Sequence, residues 1–201
     1  MKRVLLTASG LALLVAVLAV SCQEQPARAI AADTKTGSDT ALNKEALIQR
    51  GEYLVNVVGC EDCHSTKVMG RQGPEIDTLH RFGGHLASQP LPPAAPEAGK
   101  KGWMLFAPDL TAAVGPWGTS FAANISSDES GIGNWSEVQF FKAMREGKFK
   151  GLDNTRPLLP PMPWFNFAKM KDEDLRAIFY YLQSTKPVDN VVPAALPPAA
   201  P

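Results

Sequence analysis

The run Cys60-Glu61-Asp62-Cys63-His64 constrains this 201-residue chain more than any other feature. Two thiols separated by two residues can add across the two vinyl groups of one porphyrin. The histidine that follows is then held against the metal, where its imidazole becomes an axial ligand. The run is typical of a c-type haem attachment site. It predicts that Cys60 and Cys63 bind one haem c covalently and that His64 is the proximal iron ligand.

The first residues indicate export. Lys2 and Arg3 precede an apolar run from Leu11 to Val20, which is the pattern of a secretory signal, so residues 1–21 are predicted to be a signal peptide. The stretch Leu18-Ala19-Val20-Ser21-Cys22 resembles a bacterial lipobox, which predicts lipidation of Cys22. Cleavage after Ala27-Arg28-Ala29 and retention of the apolar run as an anchor are the alternatives.

A lipid on Cys22 would attach the protein to a membrane surface on the periplasmic side, with residues 22–42 as a flexible tether. The three cysteines of the chain are then all used, because the other two bind haem. From Cys22 onward the chain has 18 basic and 20 acidic side chains and no basic stripe. This composition gives no indication of nucleic-acid binding.

Hydrophobic spacing predicts three helices, over 43–58, from about 134 to Gly147, and from 171–174 to about Ser184. Glycine and proline interrupt the stretch from Ser65 to Ser120, which is predicted to be irregular, with its apolar residues facing inward (Trp103, Leu105, Phe106 and Trp117). No alternating run is long enough to predict a sheet. Residues 43–187 are expected to form one domain, and 188–201, rich in proline and alanine, a disordered or extended tail.

A six-coordinate haem needs a ligand opposite His64. Met162 is the main candidate, because it lies in Pro160-Pro161-Met162-Pro163-Trp164, where three prolines stiffen the backbone around its thioether. His80 or His85 would give a bis-histidine haem instead.

These residues together resemble a class I cytochrome c. The segments Leu159–Trp164, Asp172–Ile178 and Asn124–Ser136 are similar to those of the cytochrome c subunits of bacterial dehydrogenases, although such subunits often carry two or three C-x-x-C-H motifs and this chain has one. The resemblance implies an all-α cytochrome c fold, with crossed N- and C-terminal helices and long loops around the haem. It also implies that Met162 is the distal ligand and that Gly51 lies at the helix crossing, against Phe179 or Tyr180.

Three functions are compatible with these features. The first is a non-enzymatic carrier of single electrons between redox partners such as a periplasmic dehydrogenase, a quinol-linked complex or a terminal oxidase. The second is a haem enzyme, peroxidase-like or acting on sulfur or nitrogen compounds, with a displaceable sixth ligand and His80 or His85 as acid or base. The third has no haem and uses Cys60, Cys63 and His64 for zinc or thiol chemistry.

Overall fold

A computed structural model describes residues 44–91 and 99–198. The helices within these ranges are α1 (Lys44–Val57), α2 (Cys60–His64), α3 (Glu137–Glu146), α4 (Trp164–Phe167) and α5 (Asp172–Ser184). The strands are β1 (Lys67–Met69), β2 (Pro74–Ile76), β3 (Leu105–Phe106), β4 (Ala112–Gly115) and β5 (Gly118–Phe121). The predicted signal peptide, the Cys22 lipidation site and the tether lie outside the described residues.

Helices α1 and α5 pack directly against each other and form the centre of the apolar core. Leu47, Leu54 and Val55 of α1 recur on one face at helical spacing and are buried there. Gly51 lies on the same face, and a Cβ added to it would be 2.0 Å from the carbonyl oxygen of Ala177 and 2.6 Å from Cβ of Tyr181. The expected close approach at Gly51 is present, but its partners are these two residues and not Phe179 or Tyr180.

The ends of the helices show how local residues fix their positions. Helix α3 begins after Ser136, whose hydroxyl accepts a hydrogen bond from the backbone N–H of Gln139 at 3.2 Å. The capping residue is therefore Ser136, and the helix begins three residues later than the start predicted near 134. The helix ends at Gly147, where φ is +63°, a backbone conformation that favours glycine.

The prediction of an all-α fold is wrong, because the described residues contain two small antiparallel sheets. Strand β1 pairs with β2, with Lys67 opposite Ile76, and a second sheet has the order β3-β4-β5, with Ala113 opposite Ser120. All five strands lie in the stretch that was expected to be irregular, except that β5 extends one residue beyond it, to Phe121. Each has two to four residues, and those of β4 are all buried, so no polar and apolar alternation marks them in the sequence.

The expected inward orientation of the middle segment is also wrong in part. Trp103, Leu105 and Phe106 are exposed, and Trp117 is half-buried. Strand β3 forms one edge of its sheet, and both of its side chains are exposed.

Residues after α5 lie extended along the body of the protein. Val188 and Asn190 are buried, and Leu196 exchanges two backbone hydrogen bonds with Thr119 of β5, at 2.9 and 3.0 Å. The side chain of Asn190 donates to the carbonyl oxygens of Gly83 and His85. Of the two conformations expected for this tail, residues 188–198 adopt the extended one.

Candidate haem site

The two predicted haem-binding cysteines occupy one short helix that begins directly after α1. Gly59 separates the two helices with φ +73°, and a Cβ there would be 2.6 Å from a carboxylate oxygen of Asp62. Cys60 and Cys63 are therefore one helical turn apart on the same face of α2. Both thiols are free and half-buried, and Cys60 packs against the main apolar cluster.

Interactions with other segments fix the position of α2. Glu61, between the two cysteines, forms an ion pair with Arg81. The ammonium group of Lys67 donates to the carbonyl oxygens of Ser65 and Asp109 at 2.8 and 2.9 Å and also contacts those of Glu61 and Asp62. A cation at the C-terminal end of a helix interacts favourably with the helix dipole, so Lys67 stabilises the helix that carries the motif.

The imidazole of His64 is oriented by one backbone acceptor. Its Nδ1–H donates to the carbonyl oxygen of Ala123 at 2.7 Å. The proton is therefore on Nδ1, and Nε2 keeps the lone pair that can bind a metal. Burial lowers the pKa of His64, although the hydrogen bond to Ala123 opposes this shift. Burial therefore favours the neutral imidazole, which is the form that binds iron.

The environment of the thiols argues against thiol redox chemistry. Burial, with a smaller contribution from Glu61, raises the pKa of Cys60 to about 12, and burial also raises the pKa of Cys63. Reactive C-x-x-C pairs depend on a lowered thiol pKa, since the thiolate is the nucleophile. The thiol pKa of Cys60 is raised instead.

Met162 lies in the loop between α3 and α4. It is half-buried and packs against the same apolar cluster as Cys60. Two residues earlier, the carbonyl oxygen of Pro160 accepts a hydrogen bond from Oγ of Ser120 at 2.6 Å. Strand β5 and the residues directly after it therefore contact both candidate ligand regions, the methionine loop through Ser120 and the His64 ring through Ala123.

The residues present fit a covalently bound haem. Two half-buried thiols share one helical face, the following histidine has Nε2 available, and a thioether packs against the same cluster as one of the thiols. These placements are compatible with the predicted roles of Cys60, Cys63, His64 and Met162, which stay predictions. Within the described ranges, no three His, Cys, Asp or Glu side chains form a group that could hold a metal ion.

His80 and His85, the alternative distal ligands, form hydrogen bonds to other residues. His85 is 1% exposed; its Nε2–H donates to the carbonyl oxygen of Gln89 at 3.0 Å, and its Nδ1 is 2.8 Å from the hydroxyl of Thr111. His80 donates from Nδ1 to a carboxylate oxygen of Asp77 at 2.6 Å. Both ring nitrogens of His85 are thus used, which disfavours it as a ligand or as a catalytic base.

The pair of Asp77 and His80 leads to a pH-dependent prediction. The hydrogen bond from His80 holds the pKa of Asp77 below its usual value. The carboxylate of Asp77 therefore binds a proton more readily in the unfolded chain than in the folded one. Ionised Asp77 thus stabilises the folded state above about pH 4, and this stabilisation is lost as the pH falls through the lowered pKa. We expect Asp77→Asn to unfold at a lower urea concentration than the wild type at pH 6, with the difference shrinking towards pH 3.

Urea midpoints measured from pH 3 to 7 test this expectation, with Asp189→Asn, at an exposed aspartate, as the control. A constant difference across that range would contradict the lowered pKa of Asp77.

Two of the three residues that position the candidate site, Ala123 and Ser120, could not be found from the sequence. Ala123 acts through its carbonyl oxygen, and every residue has one, so its side chain gives no signal. Ser120 is a small polar residue in a strand that was not predicted. Lys67 lies three residues after His64, close enough to the C-terminal end of α2 to suggest a role there.

Comparison with known proteins relates this chain to cytochrome c subunits of dehydrogenases. It is 32% identical over 146 residues to the gluconate 2-dehydrogenase cytochrome c subunit of Pantoea cypripedii, covering 72% of this chain and 24% of that subunit. It is 31% identical over 146 residues, or 72% of its length, to the cytochrome c subunit of alcohol dehydrogenase (quinone) from Gluconobacter oxydans, of which it covers 23%.

A shorter segment of 80 residues, 39% of the chain, is 41% identical to one of the subunits of nicotinate dehydrogenase from Pseudomonas putida and covers 6% of that protein. The chain thus spans about a quarter of the length of the two cytochrome subunits and far less of the third relative. No protein-family model matches the chain. Among the described helices, none is both long and apolar enough to cross a membrane.

Proposed function

We propose that this protein is a monohaem c-type cytochrome that transfers single electrons between protein redox partners. Cys60 and Cys63 bind the haem covalently, His64 is the proximal ligand and Met162 is the distal ligand. The observation that carries the proposal is the fixed imidazole of His64, with Nδ1 bonded to Ala123, next to two thiols on one helical face. The similarity to cytochrome c subunits supports it independently.

The chemistry that the haem supplies is a one-electron change at iron, and ligation by histidine and methionine favours a relatively positive potential. The chain itself orients the ring of His64 and presents the thioether of Met162. The side chain of Met162 also packs against the main apolar cluster. A haem held by both His64 and Met162 would leave no coordination site open for a substrate, which supports a carrier over an enzyme.

We further propose that the partner is a dehydrogenase, since the relatives are named as cytochrome subunits of gluconate and alcohol dehydrogenases. A quinol-linked complex or a terminal oxidase is the expected partner on the other side of the transfer. Lipidation of Cys22 would keep the protein at a periplasmic membrane surface, near such complexes.

Serine substitutions at the three cysteines test the assignment together. After expression with haem maturation, the wild-type protein should retain haem on a denaturing gel stained for peroxidase activity. The double variant Cys60→Ser/Cys63→Ser should lose the stain, because it removes both thioether bonds, whereas each single variant keeps one bond and part of the stain. Retention of the stain in the double variant would contradict covalent attachment at this motif.

Cys22→Ser is the matched control in the same experiment. It should keep the full haem stain and no longer incorporate radiolabelled palmitate, because the thiol that carries the lipid is gone. A wild-type protein that incorporates no palmitate would contradict the lipid anchor and leave the haem assignment intact.

A further inference from the structure

Ser120 makes an interaction that the electron-transfer proposal does not yet explain. Its side chain is in strand β5 and is almost buried, with 8% of the residue exposed. Oγ lies 2.6 Å from the carbonyl oxygen of Pro160 and 3.4 Å from that of Ala113, and Nε1–H of Trp117 donates to it at 3.2 Å. A hydroxyl has one proton, and the shorter contact takes it, so Ser120 donates to Pro160.

The loop that receives this bond has few donors of its own. Pro160, Pro161 and Pro163 have no backbone N–H group. The amides that remain make local bonds, from Met162 to Leu159 at 3.2 Å and from Trp164 to Met162 at 2.9 Å. The bond from Ser120 differs, because it joins the loop to another element at a point two residues before Met162.

Strand β5, which carries Ser120, is held in place by hydrogen bonds on both of its sides. Ser120 pairs with Ala113 of β4 on one side, and Thr119 exchanges two backbone hydrogen bonds with Leu196 on the other. Ala123, which accepts the hydrogen bond from His64, is three residues further on, so at most about 10 Å of chain separates it from Ser120. One short segment therefore anchors both the proximal histidine and the methionine loop.

We infer, on the basis of the haem ligation proposed above, that Ser120 is the positioning residue for the distal ligand Met162. Its hydrogen bond to Pro160 restricts the loop to conformations in which the thioether stays on the iron. Loss of this hydrogen bond leaves the side chain of Met162 unchanged. It raises the population of loop conformations in which Met162 has left the iron.

Imidazole binding to the ferric holoprotein measures that population. Imidazole replaces the thioether, so the Fe–S bond breaks, an Fe–N bond forms and no electron is transferred. We expect Ser120→Ala to bind imidazole about three- to tenfold more tightly than the wild type, which is the range expected from one net hydrogen bond. The weak methionine-to-iron charge-transfer band should also be lost at a lower pH in this variant.

Three further variants separate positioning from general structural effects. Ser127→Ala removes a similar bond, from a half-buried hydroxyl to the carbonyl oxygen of Thr185, and should change imidazole affinity less than about twofold. Ser120→Thr and Ser120→Val have the same shape and differ only in the hydroxyl, so only the threonine variant should approach wild-type affinity. This pair keeps the test valid if the alanine variant does not fold.

Two results would overturn the positioning role of Ser120, even if Met162→Ala alters imidazole binding. One is an equal imidazole affinity in Ser120→Thr and Ser120→Val. The other is an equal change in imidazole affinity in Ser120→Ala and Ser127→Ala. A wild-type protein that lacks the charge-transfer band and binds imidazole as Met162→Ala does would overturn the ligation by Met162, and the role of Ser120 with it.

Discussion

Met162→Ala is expected to lower the reduction potential of the haem by an amount on the order of 0.1 V and to make the ferrous protein bind carbon monoxide readily. The thioether stabilises the reduced iron and occupies its sixth position, and alanine can do neither. Redox titration measures the first effect and the absorption spectrum under carbon monoxide the second. The charge-transfer band of the methionine–iron bond should disappear from the ferric spectrum.

Met170→Ala provides the matched control, since Met170 is also a half-buried methionine packed against the main apolar cluster. It should lose some stability and keep the wild-type potential and spectrum. If Met162→Ala has the same spectrum as the wild type, Met162 is not the distal ligand.

The second large effect is expected at Gly51. Replacing a helical glycine with alanine ordinarily stabilises a helix by about 1 kcal/mol. Here the new Cβ would be 2.0 Å from a backbone oxygen of α5, which cannot move without shifting the helix. We expect Gly51→Ala to lower the free energy of unfolding by about 3 kcal/mol, as measured by urea denaturation of the holoprotein.

Glu52→Ala tests the same helix one position later, at an exposed site, and should change the free energy of unfolding by less than about 0.5 kcal/mol. A Gly51→Ala protein that is more stable than the wild type would show that α1 and α5 do not approach each other closely at this position.

The three longer helices were predictable from the sequence because their signals are local, whereas the short helices α2 and α4 were not predicted. Leu47, Leu54 and Val55 mark one face of α1, and the helix predicted over 43–58 is present as Lys44–Val57. The acidic residues at the start of α5 likewise marked its first turn, which begins at Asp172. Periodicity and end signals of this kind need no knowledge of the rest of the fold.

The sheets were not predictable in the same way. The buried run Ala112–Gly115 becomes a strand because it pairs with β5 on one side and β3 on the other. Such pairing depends on neighbours that short-range patterns do not reveal. The motif Cys60–His64 was visible because its chemistry lies in side chains, whereas the groups that orient it include the carbonyl oxygen of Ala123.

The extended segment after α5 closes a long loop of the chain. The hydrogen bond from Asn190 to Gly83 joins residues 107 positions apart, and closing such a loop costs conformational entropy that the contacts of the segment offset. Its backbone bonds from Leu196 to Thr119 hold strand β5 in place at the same time. Residues after α5 therefore brace the part of the chain that contacts both candidate ligand regions.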